Sequence, residues 1–203
     1  MGEGAVEELS RLSPTAWVLI GSAAVLGFGV SWAWRWYRKY RARKALRVQV
    51  TAGCADFLTN TLVPDGMGGG YHVDYLLLTL RGVVVVDLRD VRGNIFGGDQ
   101  MADWTVMDGA HRFTFTNPQG ALYDRVAAVK AVVGEVPVEG RIVFTRRGKF
   151  PKGLPKWTLM LDALRTEFPA PEFESPADSA ARHRDGWQRL KDTVRPSYMV
   201  DMR

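Results

Sequence analysis

Two strongly apolar runs of the chain carry three charged residues: Asp74 in YHVDYLLLTL (71–80), and Asp87 and Arg89 in VVVVDLR (83–89). Taking a carboxylate out of water is costly unless a cation offsets it. The residue types allow two solutions. In one, Arg89 pairs with Asp74 or Asp87 at a strand end. In the other, Asp74 and Asp87 share a hard divalent cation. Mg²⁺ binds through one or two carboxylates together with water and phosphate. Held there, it can activate water and stabilise charge on a scissile phosphate. Both solutions stay open on the residues alone.

The elements that would position these groups are two strands, 71–80 and 83–89, joined by a turn that contains Gly82. The continuous apolar run of the second suggests burial on both faces. A two-residue turn at Arg81-Gly82 sets Asp74 opposite Arg89 and Leu76 opposite Asp87. Side chains two apart share a face, so Asp74, Asp87 and Arg89 project to one side. The carboxylates are then diagonal neighbours, about 7–8 Å apart along the backbone and within reach of one cation. An odd slip in register would separate them. Arg89 faces both and is expected to neutralise both when no metal is bound.

Around this hairpin, residues 49–62 are ambiguous and admit a first helix. Residues 64–70 form a loop, and Gly93 to Gly98 breaks the chain. Asp108-Gly109 suggests a hairpin between 104–107 and 112–115. Asn117-Pro118 caps and opens a helix. Its apolar stripe is Leu122, Val126, Val129 and Val133, and Gly134 ends it. RIVFT (141–145) is a buried strand. A further strand is expected at 157–161, with Asp162 capping a short helix. A Pro-rich linker, 169–176, precedes a polar helix at 177–194. This order predicts an α/β (α+β) fold, a mixed central sheet flanked by helices.

The net charge of +5 is localised. Seven basic residues lie between Arg35 and Arg47, whereas residues 48–203 carry 19 basic and 19 acidic side chains. Residues 15–34 are uncharged, with Trp17 at one end and Trp32, Trp34, Trp36, Tyr37 and Tyr40 at the other. This pattern predicts a transmembrane helix with interfacial aromatics and a cytoplasmic basic flank. The acidic start and the bulky residues after the apolar run argue against a cleaved signal peptide. Five segments are expected: a short extracytoplasmic N-terminus (1–14), the transmembrane helix (15–36), a basic juxtamembrane segment (37–48), a folded domain (49–168), and a linker with a last helix (169–203). The location is then the plasma (inner) membrane, single-pass, in contact with lipid, with the domain in the cytoplasm. The lone cysteine, Cys54, suits a reducing compartment and rules out an intramolecular disulfide.

From Tyr71 to Thr145 the chain resembles the nuclease-related domain family. The features are HVDYLLLTLRGVVVVDLRDVRGNIFG, the Trp104 strand, Asn117-Pro118 opening a helix, and RIVFT. The resemblance implies a restriction-endonuclease-like fold with an Asp…Asp/Glu-x-Lys core. It implies metal-dependent phosphodiester hydrolysis on DNA, with Asp74, Asp87 and Arg89 as catalytic positions. Asp74 and Asp87 would be ligands of Mg²⁺ or Mn²⁺. Several positions depart from the family pattern. Arg89 stands where the family has lysine, His72 where an acid is usual, and Ala121 where a Gln is common, with Gln119 out of step. A Gly-Glu signature is not evident in 45–62. Arginine stays protonated and cannot serve as a base, although it can clamp a phosphate.

Arg146, Arg147, Lys149 and Lys152, followed by Lys156, make an acid-free basic run that could track a nucleic-acid backbone, with Phe150 and Trp157 available for stacking. A solvated loop explains the same residues. Two functions remain: a membrane-anchored DNA nuclease weakened by Arg89, and a non-catalytic module that holds nucleic acid or protein at the membrane.

Overall fold

Valine-rich and alternating segments of this chain pair into two mixed sheets, and the amphipathic segments pack as helices. The structure, a computed structural model, describes residues 14–169 and 181–197, the side chains of 14–26 excepted. The chain divides into two units, Met1–Arg47 and Val48–Arg203.

The described part of the first unit is helical, within a helix α1 that runs Pro14–Val50. The expected membrane span falls within it, but most of that span lies outside the residues whose side chains are described. Among the described residues, no helix is long and apolar enough to cross a membrane. Phe28, Trp32, Trp34 and Trp36 are all more than half exposed. Trp36 stacks on Tyr40, and Arg41 lies over the Tyr37 ring.

The second unit contains β1 (Asp56–Pro64), β2 (Gly70–Thr79), β3 (Gly82–Arg89), β4 (Gly93–Phe96), β5 (Asp103–Asp108) and β6 (His111–Thr116). Then come α2 (Pro118–Val133), β7 (Val138–Phe144), β8 (Gly148–Lys149), β9 (Thr158–Met160), α3 (Leu161–Glu167), α4 (Arg184–Thr193) and β10 (Arg195–Pro196). One sheet has the order β10-β1-β2-β3-β7-β9 and the other β6-β5-β4-β8. In the first, β7 runs parallel to β3 and β9, and the remaining pairs are antiparallel. The mixed α/β class agrees with the sequence expectation, but the strands form two sheets where one central sheet is expected, because β4, β5, β6 and β8 pair among themselves.

Four local expectations are corrected. Residues 56–64 form a strand, not a helix, because Leu58, Thr61 and Val63 find partners on β2. Gly93–Phe96 is a strand pairing with β5 and β8, not a break. Asp162 does not cap α3; the cap position is Met160, which makes no side-chain cap bond, and Asp162 pairs with Arg146 instead. The β2–β3 turn is Leu80-Arg81, since Thr79 pairs with Gly82. Gly82 has φ +126°, and a Cβ there would strike the Pro137 carbonyl. Most of the 169–176 linker, and the first residues of the expected last helix, lie outside the described residues. The helix itself begins at Arg184 and buries Trp187 and Leu190.

Asn117 caps α2 as expected, accepting the Gln119 amide, and Gly134 closes the helix. Leu122, Val129 and Val133 are buried, with Val126 packed beside them. Gly140 on β7 permits this close approach, since a Cβ there would lie 2.6 Å from Val126 Cγ2. Trp104 joins the two sheets: fully buried on β5, it stacks on Phe144 of β7 and meets Phe115 and Phe150 edge-on.

Candidate functional site

The site lies where the β2–β3 ladder stops. The last pair of the ladder is Tyr75 with Val86. One further step would set Asp74 opposite Asp87, and like charges directly opposed destabilise a pair. The strands instead exchange a side-chain bond: Asp74 Oδ2 accepts the Leu88 amide at 2.9 Å. The register thus differs by two residues from the sequence expectation. An even shift keeps parity, so Asp74, Asp87 and Arg89 still share a face.

Arg89 does not serve both carboxylates. Its Nη2 donates to Asp87 Oδ2 at 2.8 Å, and no bond to Asp74 is formed. The second cation is Arg125 of α2, which the sequence reading missed. Its Nη1 donates to the same Asp87 oxygen at 3.1 Å, and its Nε donates to the His72 carbonyl at 2.7 Å. Asp87 is almost wholly buried, with 1% of its side chain exposed, and Arg125 retains 11%. A sequence signal for Arg125 existed. It falls three residues after Leu122 and four before Val129, beside the apolar stripe, where a charge needs a partner.

Asp74 has a different set of partners. Its Oδ1 lies 3.1 Å from His72 Nε2, and His72 Nδ1 lies 2.9 Å from Ser197 Oγ. Ser197 follows β10, whose pairing with β1 the sequence did not suggest; its amide donates to the Asn60 carbonyl. His72 therefore ties the residue after one edge strand to the acid of β2. Of the other histidines, His183 is buried with Nε2 3.3 Å from the Leu80 carbonyl, and His111 is exposed beside the β5–β6 turn.

These groups are a poor fit to a divalent cation. Both Asp74 oxygens have neighbours within hydrogen-bond range, and two guanidiniums converge on one Asp87 oxygen. Two carboxylates and two guanidiniums already balance. A cation placed among them gains no net attraction from the cluster, since at equal distance each guanidinium repels it as strongly as a carboxylate attracts it. The buried side-chain atoms at the fork that make no hydrogen bond are Arg89 Nε, a donor, and Asp87 Oδ1, the second oxygen of a carboxylate whose Oδ2 is held twice. Among the described residues, no group of three His, Cys, Asp or Glu side chains could hold a metal.

The basic run is not acid-free in space. Arg146 Nε donates to both Asp162 oxygens, and Arg147 Nη1 donates to Asp90 at 2.8 Å. Lys149 lies in β8, and Lys152 Nζ sits 5.9 Å from the Phe96 ring centroid. The two arginine pairs are exposed, and such pairs are worth little in water. Nearby, Asp99 is held below the usual carboxylate range by hydrogen bonds from Gln119 and the Lys156 amide.

The fold is a mixed α/β module that carries paired acids at a β2–β3 fork. A family model described as the nuclease-related domain matches residues 35–145, more than half of the chain. The chain belongs to that family. The match begins upstream of Tyr71 and takes in the basic end of α1. Searches among curated proteins and among solved structures gave no match.

Proposed function

We propose that this chain is a membrane-tethered member of its family that holds nucleic acid without hydrolysing it. The observation that carries the reading is the convergence of Arg89 and Arg125 on buried Asp87. Two guanidiniums on Asp87 Oδ2 supply the positive charge that Mg²⁺ or Mn²⁺ would otherwise bring, and arginine as a residue type cannot serve as a general base. Lys149 and Lys152, with the weakly held Arg146 and Arg147, supply contacts for a phosphate backbone. The uncharged run 15–34, the exposed aromatics of α1 and the seven basic residues after it support an anchor with the domain on the cytoplasmic side.

The full chain in nanodiscs tests this with labelled single-stranded and duplex DNA in EDTA and in Mn²⁺. Binding is expected in both, weakening with salt, with the DNA intact. The competing reading is metal-dependent hydrolysis of DNA at Asp74, Asp87 and Arg89, favoured by family membership. It wins if Mn²⁺ brings cleavage that Asp87→Asn abolishes.

A further inference from the structure

We infer that Arg125 is a built-in cation that replaces a divalent metal at the Asp74–Asp87 fork. This rests on the preceding reading of the site as non-hydrolytic and assigns the role to one residue. A shared metal at such a fork does two things: it neutralises buried acid and it links two strands where their ladder has ended. Arg125 does both. Its Nη1 meets Asp87 Oδ2 on β3, and its Nε meets the His72 carbonyl on β2. The same guanidinium thus spans the gap beyond Tyr75 and Val86. A guanidinium presents several donors at fixed directions in one plane, so it meets a carboxylate and a carbonyl at a defined spacing, whereas the three donors of a lysine radiate from a single atom.

The placement comes from the packing of α2. Leu122 and Val126 seat against Gly140 of β7, and Val129 and Val133 continue the buried stripe. Arg125, adjacent on that helix, is carried to the sheet face that bears Asp87. Arg89 alone cannot give the crosslink, because its bond goes to Asp87 two residues away on the same strand.

Thermal unfolding and Mn²⁺ titration of the full chain, with no nucleic acid present, test this. Wild type should show no Mn²⁺-dependent rise in Tm up to millimolar metal. Arg125→Gln should lower Tm in EDTA, regain part of it in Mn²⁺, and bind Mn²⁺ about tenfold or more tightly than wild type. The double variant Arg125→Gln with Asp87→Asn should lose that gain. Two results overturn the inference: wild type that binds Mn²⁺ through Asp87, or Arg125→Gln that neither loses stability nor gains Mn²⁺ affinity. If Arg125→Gln does not fold, the wild-type titration still decides the first, and Arg125→Lys, expected to be destabilised in EDTA without gaining Mn²⁺ affinity, decides the second. Failure to bind DNA would sink the proposed function and leave these readouts unaffected.

Discussion

Asp74 accepts the amide hydrogen of Leu88 at 2.9 Å, so a side chain takes over the strand pairing just where the backbone ladder ends. Asp74→Ala leaves that amide and His72 without the carboxylate, and should cost about 1–3 kcal/mol. Asp74→Asn keeps an acceptor oxygen and should cost less than Asp74→Ala. Urea denaturation of the two variants checks the order; equal losses would mean that charge, not the bond to Leu88, matters.

Two glycines near α2 should respond in opposite directions. At Gly140 a Cβ would meet Val126 Cγ2 at 2.6 Å and Leu122 Cγ at 3.0 Å. Gly140→Val should destabilise by about 1–3 kcal/mol through overpacking. At Gly120, inside α2, nothing lies within 4 Å. Gly120→Ala should stabilise by about 0.5–1 kcal/mol. Denaturation midpoints at constant m-value measure both.

Asp56 binds α4 to β1 by accepting from Trp187 Nε1 at 2.8 Å and Lys191 Nζ at 3.2 Å. Burial pushes its carboxyl up, but the bonds from Trp187, Lys191 and the Phe57 amide outweigh this and hold it below its ordinary value of 3.8. Its folded value is the lower one, so its contribution is present above about 3.8 and is lost as pH falls through the folded value. Asp56→Asn should therefore destabilise at neutral pH and flatten the acid limb of a stability–pH curve. An unchanged limb would remove Asp56 from the linkage.

Burial, with the negative charge of Asp56 adding to it, pushes the Cys54 thiol up to about 11. At pH 8 about one thiol in a thousand is then ionised. Iodoacetamide should label the native chain far more slowly than the chain in guanidinium chloride; comparable rates would show the thiol to be unprotected.

The proposed anchor predicts a topology. A reporter fused to the C-terminus and active only outside the cytoplasm should stay silent. Activity of that fusion would reverse the orientation.

Much of the fold was legible where one local cause dominates. The valine run of β3, the Asn117 cap and the Asp108-Gly109 turn need no distant partner to be recognised. β1 was not legible because its alternation reveals itself only against β2. The β2–β3 register was off by two because Gly82, which looks like a turn residue, opens the strand at a positive φ instead. The site survived that error because an even shift preserves the face. Arg125 was missed because its partner, Asp87, is 38 positions away, and only the docking of α2 brings the two together.

The bond between His72 and Ser197 spans 125 positions. A ribosome adding about 5–20 residues per second needs roughly 6–25 s to cover that distance. For that interval the nascent chain holds β1 without its β10 neighbour and His72 without its serine. A stalled or truncated translation product would therefore leave Thr61 and Leu62 of β1 without the partner that the finished chain gives them, a short added stretch of open sheet edge for chaperones and proteases.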